Sequence, residues 1–247
     1  LILANLLHHQ WNILIDFDKI CKRYDLTYWL TAGTLLGAVR HSGYIPWDDD
    51  IDIAMPREDY EKLNTLDFGS KLFLQNKKTD SEFTQYWSKI RHNDSIYLEG
   101  DELNKEINYN QGIFIDIFPM NCVKSNIMFY YPKLQYALDM FTSRNRFYTK
   151  LIKYDFRLPA INFLNRFDAS SNEIFLESID SADSNLKKVN KNDIFPLSEI
   201  NFEGNFFPSP KNTDIYQNSF YGNTYMELPP EDQRKIHHYK IYLKNNE

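Results

Sequence analysis

The sequence has few of the residues that mark several large classes of protein. Only two of its 247 residues are cysteine, Cys21 and Cys122, so a disulfide framework is excluded, and no group of cysteines and histidines has zinc-site spacing. With 8 glycines and 10 prolines, the chain is neither collagen-like nor of low complexity. No apolar run approaches the roughly 20 residues that a membrane-spanning helix needs.

Positive charge is also in short supply. Lysine and arginine total 28 against 34 aspartates and glutamates, a formal net charge of −6, so broad, non-specific binding to nucleic acid is not expected.

Two cysteines favour a reducing compartment. The chain begins with Leu1 and not Met, which leaves a preceding signal or anchor open. We expect a cytoplasmic protein, with a membrane-proximal position left open, or a Golgi lumenal one if a eukaryotic anchor was removed.

Apolar and aromatic residues are plentiful, at 43% and 16%, which is enough for one large domain with a packed core.

Periodicity predicts a helix over residues 3–24, a second helix capped by Thr34 and a third after Pro56. Strands are predicted at 27–30, 50–54, 71–74, 86–91, 95–98 and 112–118. Residues 127–167 and about 173–188 are predicted to be helical, followed by a loop-rich aromatic tail. The pattern indicates an α+β fold.

The most informative stretch is Trp47–Ile53, which holds four carboxylates within five residues. Such charges repel one another, so bringing them together is costly without a cation. In a strand, Asp50 and Asp52 share one face while Ile51 and Ile53 point to the other. Oxygen ligands of this kind suit Mg²⁺ or Mn²⁺, although a solvated acidic turn is the alternative.

A calcium-binding EF-hand does not explain this stretch. Counted from Asp48, position 6 should be glycine and is Ile53, and position 12 should be glutamate and is Asp59.

A further carboxylate, Asp116, stands alone in the apolar run from Gly112 to Pro119. An isolated ionised carboxylate there would be expensive, so it needs a partner. The partner is either a lysine or arginine, or a metal shared with the acidic stretch on a neighbouring strand.

A glycine turn lies shortly before the acidic stretch. Gly33 and Thr34 follow a predicted strand and open a helix, whose backbone N–H groups can hold a phosphate. Most turns of this kind are only capped helix starts. Because this one lies near a predicted metal site, the pair favours phosphoryl or nucleotidyl transfer.

Three long motifs closely resemble the signature of the LicD/fukutin family. They run from Gly33 to Asp52, from Gln111 to Pro119, and from Tyr221 to Pro230 with His237–His238 beyond. That family belongs to the nucleotidyltransferase-fold superfamily, which is related to DNA polymerase β. The resemblance implies a mixed sheet with flanking helices in one LicD-like domain over 1–247. Its catalytic core would be 1–122, and a mostly helical, loop-rich part at 123–247 would pack on it.

The resemblance also implies an activity. Family members transfer phosphocholine, or a polyol phosphate such as ribitol or glycerol phosphate, from a CDP-activated donor to a glycan hydroxyl. Implied acceptors are cell-surface glycans: lipopolysaccharide, teichoic acid, capsule or glycoprotein glycan. Asp50, Asp52 and Asp116 would hold Mg²⁺ or Mn²⁺ and carry catalysis, with Asp116 completing the site or accepting the hydroxyl proton. Gly33 and Thr34 would position a phosphate.

Other residues are substrate-binding candidates by location. Arg40, Lys89 and Arg91 lie near the motifs and would meet phosphate charge, although a solvated face is the alternative for the two on the strand. His41 and Trp47 complete the substrate-binding set, although a cap or structural contact is the alternative for a histidine that follows a helix. Trp29, Tyr44 and Trp47 either form an aromatic wall for a base or a choline ammonium, or pack in the core. His237 and His238 serve the site, packing or an oligomer, whose state is left open.

Two other functions remain open at this point. The first is an NTP-dependent nucleotidyltransferase with the same metal site. The second is a catalytically inactive glycan-binding or assembly module. The retention of three carboxylates together with Gly33–Thr34 argues against an inactive protein, because like charges held close together are costly and an inactive site would gain nothing from them.

Overall fold

The computed structural model describes residues 2–83, 85–99, 108–124, 173–177, 188–234 and 239–243. The helices are α1 (Ile2–Arg23), α2 (Ala32–His41), α3 (Arg57–Lys62), α4 (Lys191–Ile194) and α5 (Thr213–Tyr221). The first strands are β1 (Trp29–Leu30), β2 (Asp52–Pro56), β3 (Leu72–Gln75), β4 (Ser88–His92), β5 (Ser95–Glu99) and β6 (Phe114–Lys124). The later ones are β7 (Glu173–Glu177), β8 (Lys188–Asn190), β9 (Ser198–Phe202), β10 (Asn205–Ser209) and β11 (Tyr239–Leu243).

The main sheet is mixed, and β6 is its central strand. Along the order β1-β2-β6-β4-β3, β2 runs parallel to β6 and the other neighbours are antiparallel. The N-terminal part of β6 pairs with β4, whereas its C-terminal part pairs with β7, which in turn pairs with β8. Two separate pairs, β9 with β10 and β5 with β11, complete the described strands.

Helix α1 covers the sheet because its apolar residues recur at helical spacing. Leu6, Ile13, Leu14, Phe17 and Cys21 are all buried, and the helix packs on β4 and β6. The C-terminal segment joins the same core, to which it contributes the following side chains: Phe202, Phe207, Tyr216 and Phe220.

The predicted α+β class with a mixed sheet and flanking helices is confirmed. The helix predicted at about 173–188 is wrong at both ends, which form β7 and β8, because the C-terminal part of β6 offers backbone partners to an apolar segment. Thr34 is not a cap either: α2 begins at Ala32, with Thr31 at the N-cap. The helix predicted over 127–167 lies outside the described residues. The division of the chain at residue 122 stays a prediction.

Within the described ranges, no helix combines the length and the apolar content that crossing a bilayer requires.

Helix α5 is tied to the junction of β1 and α2 by a buried tyrosine. The indole Nε1 of Trp29 donates to the hydroxyl of Tyr216 at 3.0 Å, and Oγ1 of Thr31 lies 2.7 Å from the same oxygen. All three residues are fully buried. The hydroxyl therefore satisfies polar groups that water does not reach.

We predict that Tyr216→Phe lowers the free energy of unfolding by about 1–3 kcal/mol, because the buried N–H of Trp29 loses its acceptor. Urea unfolding followed by tryptophan fluorescence measures the change. Tyr24→Phe makes the same chemical change at a tyrosine that is 42% exposed, and should stay within about 0.5 kcal/mol of the unaltered protein. Equal stabilities of the two variants would contradict this role of the hydroxyl.

Candidate active site

Three charged side chains lie in one row across neighbouring strands. The parallel register of β2 and β6 sets Asp52 beside Asp116, and the antiparallel register of β4 and β6 sets Lys89 beside Asp116. Side chains paired in this way project from the same face of a sheet. The ammonium of Lys89 lies 2.7 Å from Oδ1 of Asp116. Strand register thus brings together residues from three separate parts of the sequence.

Asp50, two residues before Asp52, adds a third carboxylate. One oxygen from each of Asp50, Asp52 and Asp116 lies within 4.8 Å of the others. Burial raises the pKa of Asp50 well above its usual value, the surrounding aspartates raise it further, and Lys89 acts in the opposite direction. The positive charge of Lys89 therefore does not fully offset the negative charge of the carboxylates. Three oxygen donors at this spacing fit a hard divalent cation such as Mg²⁺ or Mn²⁺.

Asp116 is held by two donors. Nε1 of Trp87 donates to its Oδ1 at 2.6 Å, and Nζ of Lys89 donates to its Oδ2 at 3.1 Å. The residue is only 6% exposed. The carboxylate therefore pairs with a lysine, as the first interpretation expects. It also stands beside Asp50 and Asp52, and its role as a metal ligand stays a prediction.

The backbone of the acidic stretch is anchored through Asp49. Nε2 of Gln10 on α1 donates to the Asp49 carbonyl oxygen at 2.8 Å, and the hydroxyl of Tyr97 on β5 donates to the Asp49 carboxylate at 3.2 Å. Asp49 is buried. These contacts fix the chain immediately before Asp50.

Thr34 positions the acidic strand. Its hydroxyl oxygen accepts a 2.7 Å hydrogen bond from the backbone N–H of Asp52, and the side chain is buried. The family resemblance implies that this hydroxyl binds a phosphate. In the structure, it joins the first turn of α2 to the start of β2.

Gly33 and Asp48 are in close contact at the same turn. A Cβ at Gly33 would lie 2.6 Å from Oδ2 of Asp48, so only glycine lets this carboxylate lie against the first turn of α2. Asp48 was not among the predicted site residues. It precedes Asp50 and Asp52 with the same period of two, and that spacing is the signal that finds it.

Two cavities meet at Asp50 and Asp52, which line both. The tail cavity, about 530 Å³, is also lined by Gly33, Arg40, Trp47, Asp48 and several residues of the C-terminal segment 221–230. The aromatic cavity, about 400 Å³, is also lined by Lys89, Arg91, Asp116 and six aromatic side chains: Phe83, Trp87, Tyr97, Tyr109, Phe114 and Phe118. The carboxylates thus stand where two bound groups could meet.

Arg40 links α2 to the C-terminal segment. Its Nη1 donates to the carbonyl oxygens of Tyr225 and Glu227, each at 3.2 Å, and its Nε donates to Nε2 of His41 at 3.1 Å. Burial, together with the neighbouring Arg40, lowers the pKa of His41, which favours the neutral ring that accepts this bond. His41 is not among the lining residues of either cavity, and its contact orients Arg40.

Trp47 lines the tail cavity between two guanidinium groups. The Cζ atoms of Arg40 and Arg234 lie 5.9 and 5.0 Å from the centre of its ring. The other two members of the expected aromatic wall belong to the core or pack against it. Trp29 is fully buried, and the half-buried Tyr44 packs on Phe202.

Lys89 and Arg91 share a face of β4, as their spacing predicts, and both line the aromatic cavity. They are buried, so the alternative of a solvated face is wrong. Arg91 donates to Oε1 of Gln75 at 2.5 Å and to the carbonyl oxygen of Gly112 at 2.6 Å. His237 and His238 lie outside the described residues.

The mixed sheet, the glycine-containing turn and the converging carboxylates together have the form expected of a nucleotidyltransferase-type domain. The family description "LicD/FKTN/FKRP, nucleotidyltransferase domain" matches residues 25–158, which are 134 of the 247 residues. The chain belongs to this family.

Relatives named as a cholinephosphotransferase and as a ribitol 5-phosphate transferase are among those the chain matches. The chain is 27% identical to the lipopolysaccharide cholinephosphotransferase LicD of Haemophilus influenzae over 249 aligned residues, 92% of each chain. It is 33% identical to the mouse ribitol 5-phosphate transferase FKRP over 95 residues, which are 37% of this chain and 16% of that protein. The Saccharomyces cerevisiae protein mannosyltransferase regulator 4 is 27% identical over 43% of this chain and 9% of its own length.

We predict that Thr34→Val lowers the free energy of unfolding by about 1–3 kcal/mol, because a side chain of the same shape leaves the buried N–H of Asp52 without its acceptor. Thr34→Ser retains the hydroxyl and should cost less than the valine variant. Urea unfolding compares the two. A valine variant as stable as the unaltered protein would contradict this role of the hydrogen bond.

Proposed function

We propose that this protein is a metal-dependent phosphotransferase that moves phosphocholine or a polyol phosphate from a CDP-activated donor to a hydroxyl of a cell-surface glycan. The observation that carries the proposal is the convergence of Asp50, Asp52 and Asp116 beside the first turn of α2. Membership of the LicD/FKTN/FKRP family and the names of the bacterial and mouse relatives support it.

Asp50 and Asp52, with Asp116, would hold the metal. A divalent cation bound there would neutralise charge on the diphosphate of the donor and on the leaving cytidine monophosphate. The acidic cluster by itself would repel a diphosphate, which is why the donor and the cation are expected to bind together.

The side chains around the cluster would orient the two substrates. The turn at Gly33 and the guanidinium of Arg40 line the tail cavity, where a backbone N–H group and a cation can meet phosphate oxygens. Lys89 lies beside Asp116, where its ammonium can stabilise the negative charge that develops on the transferred phosphate.

The transfer itself exchanges one phosphorus–oxygen bond for another. The acceptor hydroxyl oxygen forms a bond to the β-phosphorus, and the bond from that phosphorus to the oxygen bridging to the α-phosphorus breaks. Cytidine monophosphate leaves with the bridging oxygen. The hydroxyl proton passes to a carboxylate of the cluster.

We predict that Asp50→Asn and Asp52→Asn each abolish transfer and leave the fold intact. Removing one of several crowded negative charges relieves repulsion, so the metal-free variants should be at least as stable as the unaltered protein. The rise in melting temperature on adding Mn²⁺ should be lost, because binding to the folded state is what stabilises it. Differential scanning fluorimetry measures the stability of the metal-free variants and, when Mn²⁺ is added, the change in melting temperature.

Asp94→Asn is the matched control, because it removes the same charge from an exposed residue in the turn between β4 and β5. This variant should keep the response to Mn²⁺. A normal Mn²⁺ response or undiminished transfer in the Asp50 or Asp52 variants would contradict the proposed metal site.

We predict that CDP-choline, CDP-ribitol or CDP-glycerol raises the melting temperature in the presence of Mg²⁺, and that EDTA removes the effect, since the donor needs the cation to offset the acidic cluster. ATP and CTP serve as comparison ligands in the same fluorimetric screen. Stabilisation by the triphosphates alone would contradict the CDP-dependent function and favour an NTP-dependent nucleotidyltransferase.

A further inference from the structure

Three histidines lie together outside the candidate active site, where α1 meets the end of β4. His8 and His9 are neighbours on α1, and His92 is the last residue of β4. The ring centres of His8 and His9 are 6.0 Å apart, and those of His9 and His92 are 5.7 Å apart. None of the three is among the lining residues of either cavity. His9 and His92 are distant in the sequence, so the fold and not a sequence motif brings this histidine group together.

The spacing of His9 and His92 fits two imidazoles bound to one metal ion. With metal–nitrogen bonds of about 2.0–2.1 Å and a tetrahedral angle at the metal, two ligand rings have centres about 5–6 Å apart. The observed separation of 5.7 Å lies in this range. The ring planes are inclined by 51°, so the contact is not a stacked aromatic pair.

One ring nitrogen of His92 is buried without a partner. Its Nδ1 makes no hydrogen bond within the part of the chain that the structure describes. The backbone of His92, in contrast, is fixed on both sides: its N–H donates to the Ile113 carbonyl oxygen at 2.7 Å, and its carbonyl oxygen accepts from Oγ of Ser95 at 2.9 Å. Buried polar atoms are costly when they have no partner. A bound metal would give Nδ1 the partner that these contacts do not.

His8 can supply a third nitrogen. Its side chain is exposed, and its Nε2 lies 3.3 Å from Nδ2 of Asn12. A contact of this length at the surface is weak, so a turn of His8 toward His9 costs little. The oxygens of the three aspartates already converge, whereas the histidine group needs this one rotation. Neighbouring imidazoles oppose one another's protonation, and the neutral ring is the form that binds a metal.

The histidine group lies between two elements that support the candidate active site. His9 directly precedes Gln10, whose amide donates to the Asp49 carbonyl oxygen. His92 ends β4, the strand that carries Lys89. An ion bound by His9 and His92 would therefore join the helix that anchors the acidic stretch to the strand that pairs with β6.

We propose that His9 and His92, with His8 as the third ligand, form a structural site for a transition metal ion such as Zn²⁺. Imidazole nitrogens suit this class of ion, whereas carboxylate oxygens suit Mg²⁺ or Mn²⁺. The chain would then bind two kinds of metal at two separate places. This inference goes beyond the proposed function and does not depend on it, because the histidine group borders neither cavity.

The test is isothermal titration calorimetry with Zn²⁺, in excess Mg²⁺ to compete for the carboxylates. His8→Gln, His9→Gln and His92→Gln each remove one ligand and keep a polar side chain. Each should weaken zinc binding by at least about tenfold, since even the loss of a residue that only orients a ligand costs about 10–100-fold. His41→Gln, at a histidine on α2 outside the group, is the matched control and should bind zinc as tightly as the unaltered protein.

Nuclear magnetic resonance of the histidine rings locates the ion. The ring ¹⁵N signals of His9 and His92 should shift when Zn²⁺ is added and stay in place when Mg²⁺ is added. Any of the three glutamine variants that binds zinc as tightly as the unaltered protein would overturn the three-ligand site, as would unchanged ring signals of His9 and His92. If His92→Gln does not fold, the His9→Gln variant and the ring signals of the unaltered protein decide the question.

Discussion

The parallel pairing of β2 with β6 is the constraint on which the site depends. It sets Asp52 and Asp116 side by side, and Asp50 joins them from the residues just before β2. Like charges at this separation oppose the folding that brings them together. The hydrophobic residues of the same strands, Ile53, Ile115 and Ile117, are fully buried and point away from the carboxylates. Core burial therefore holds the acidic face in place, and with it three carboxylates that could hold a metal ion.

The surrounding polar contacts limit the cost of this arrangement. Lys89 and Trp87 donate to Asp116, the Thr34 hydroxyl accepts from the Asp52 backbone, and Gln10 anchors the Asp49 carbonyl. The contacts come from α1, from α2 and from residues 87–89 at the start of β4, so the acidic residues are positioned from several sides. This is the form of support that a metal or phosphate centre requires, since its donors must be oriented before the ligand arrives.

Much of this could be predicted from the sequence, because a period of two is clear both in the acidic stretch that leads into β2 and around Asp116 in β6. The period also identifies the shared face of Lys89 and Arg91. It does not show that Asp52, Asp116 and Lys89 occupy one row, because strand order and register depend on contacts between distant segments. Composition alone cannot separate Trp87 and Phe118, which border a cavity, from Trp29, which is in the core. The helix predicted at about 173–188 is wrong where pairing with β6 overrides local preference.

Asp50 and Asp52 line both cavities, so whatever changes the electrostatic potential at one cavity is felt at the other. A charged ligand in the tail cavity would therefore change the affinity of the aromatic cavity for a second charged ligand, and thermodynamic reciprocity would require the converse by the same factor. Two such ligands would be coupled through the charge of the same two aspartates, without any movement of the backbone.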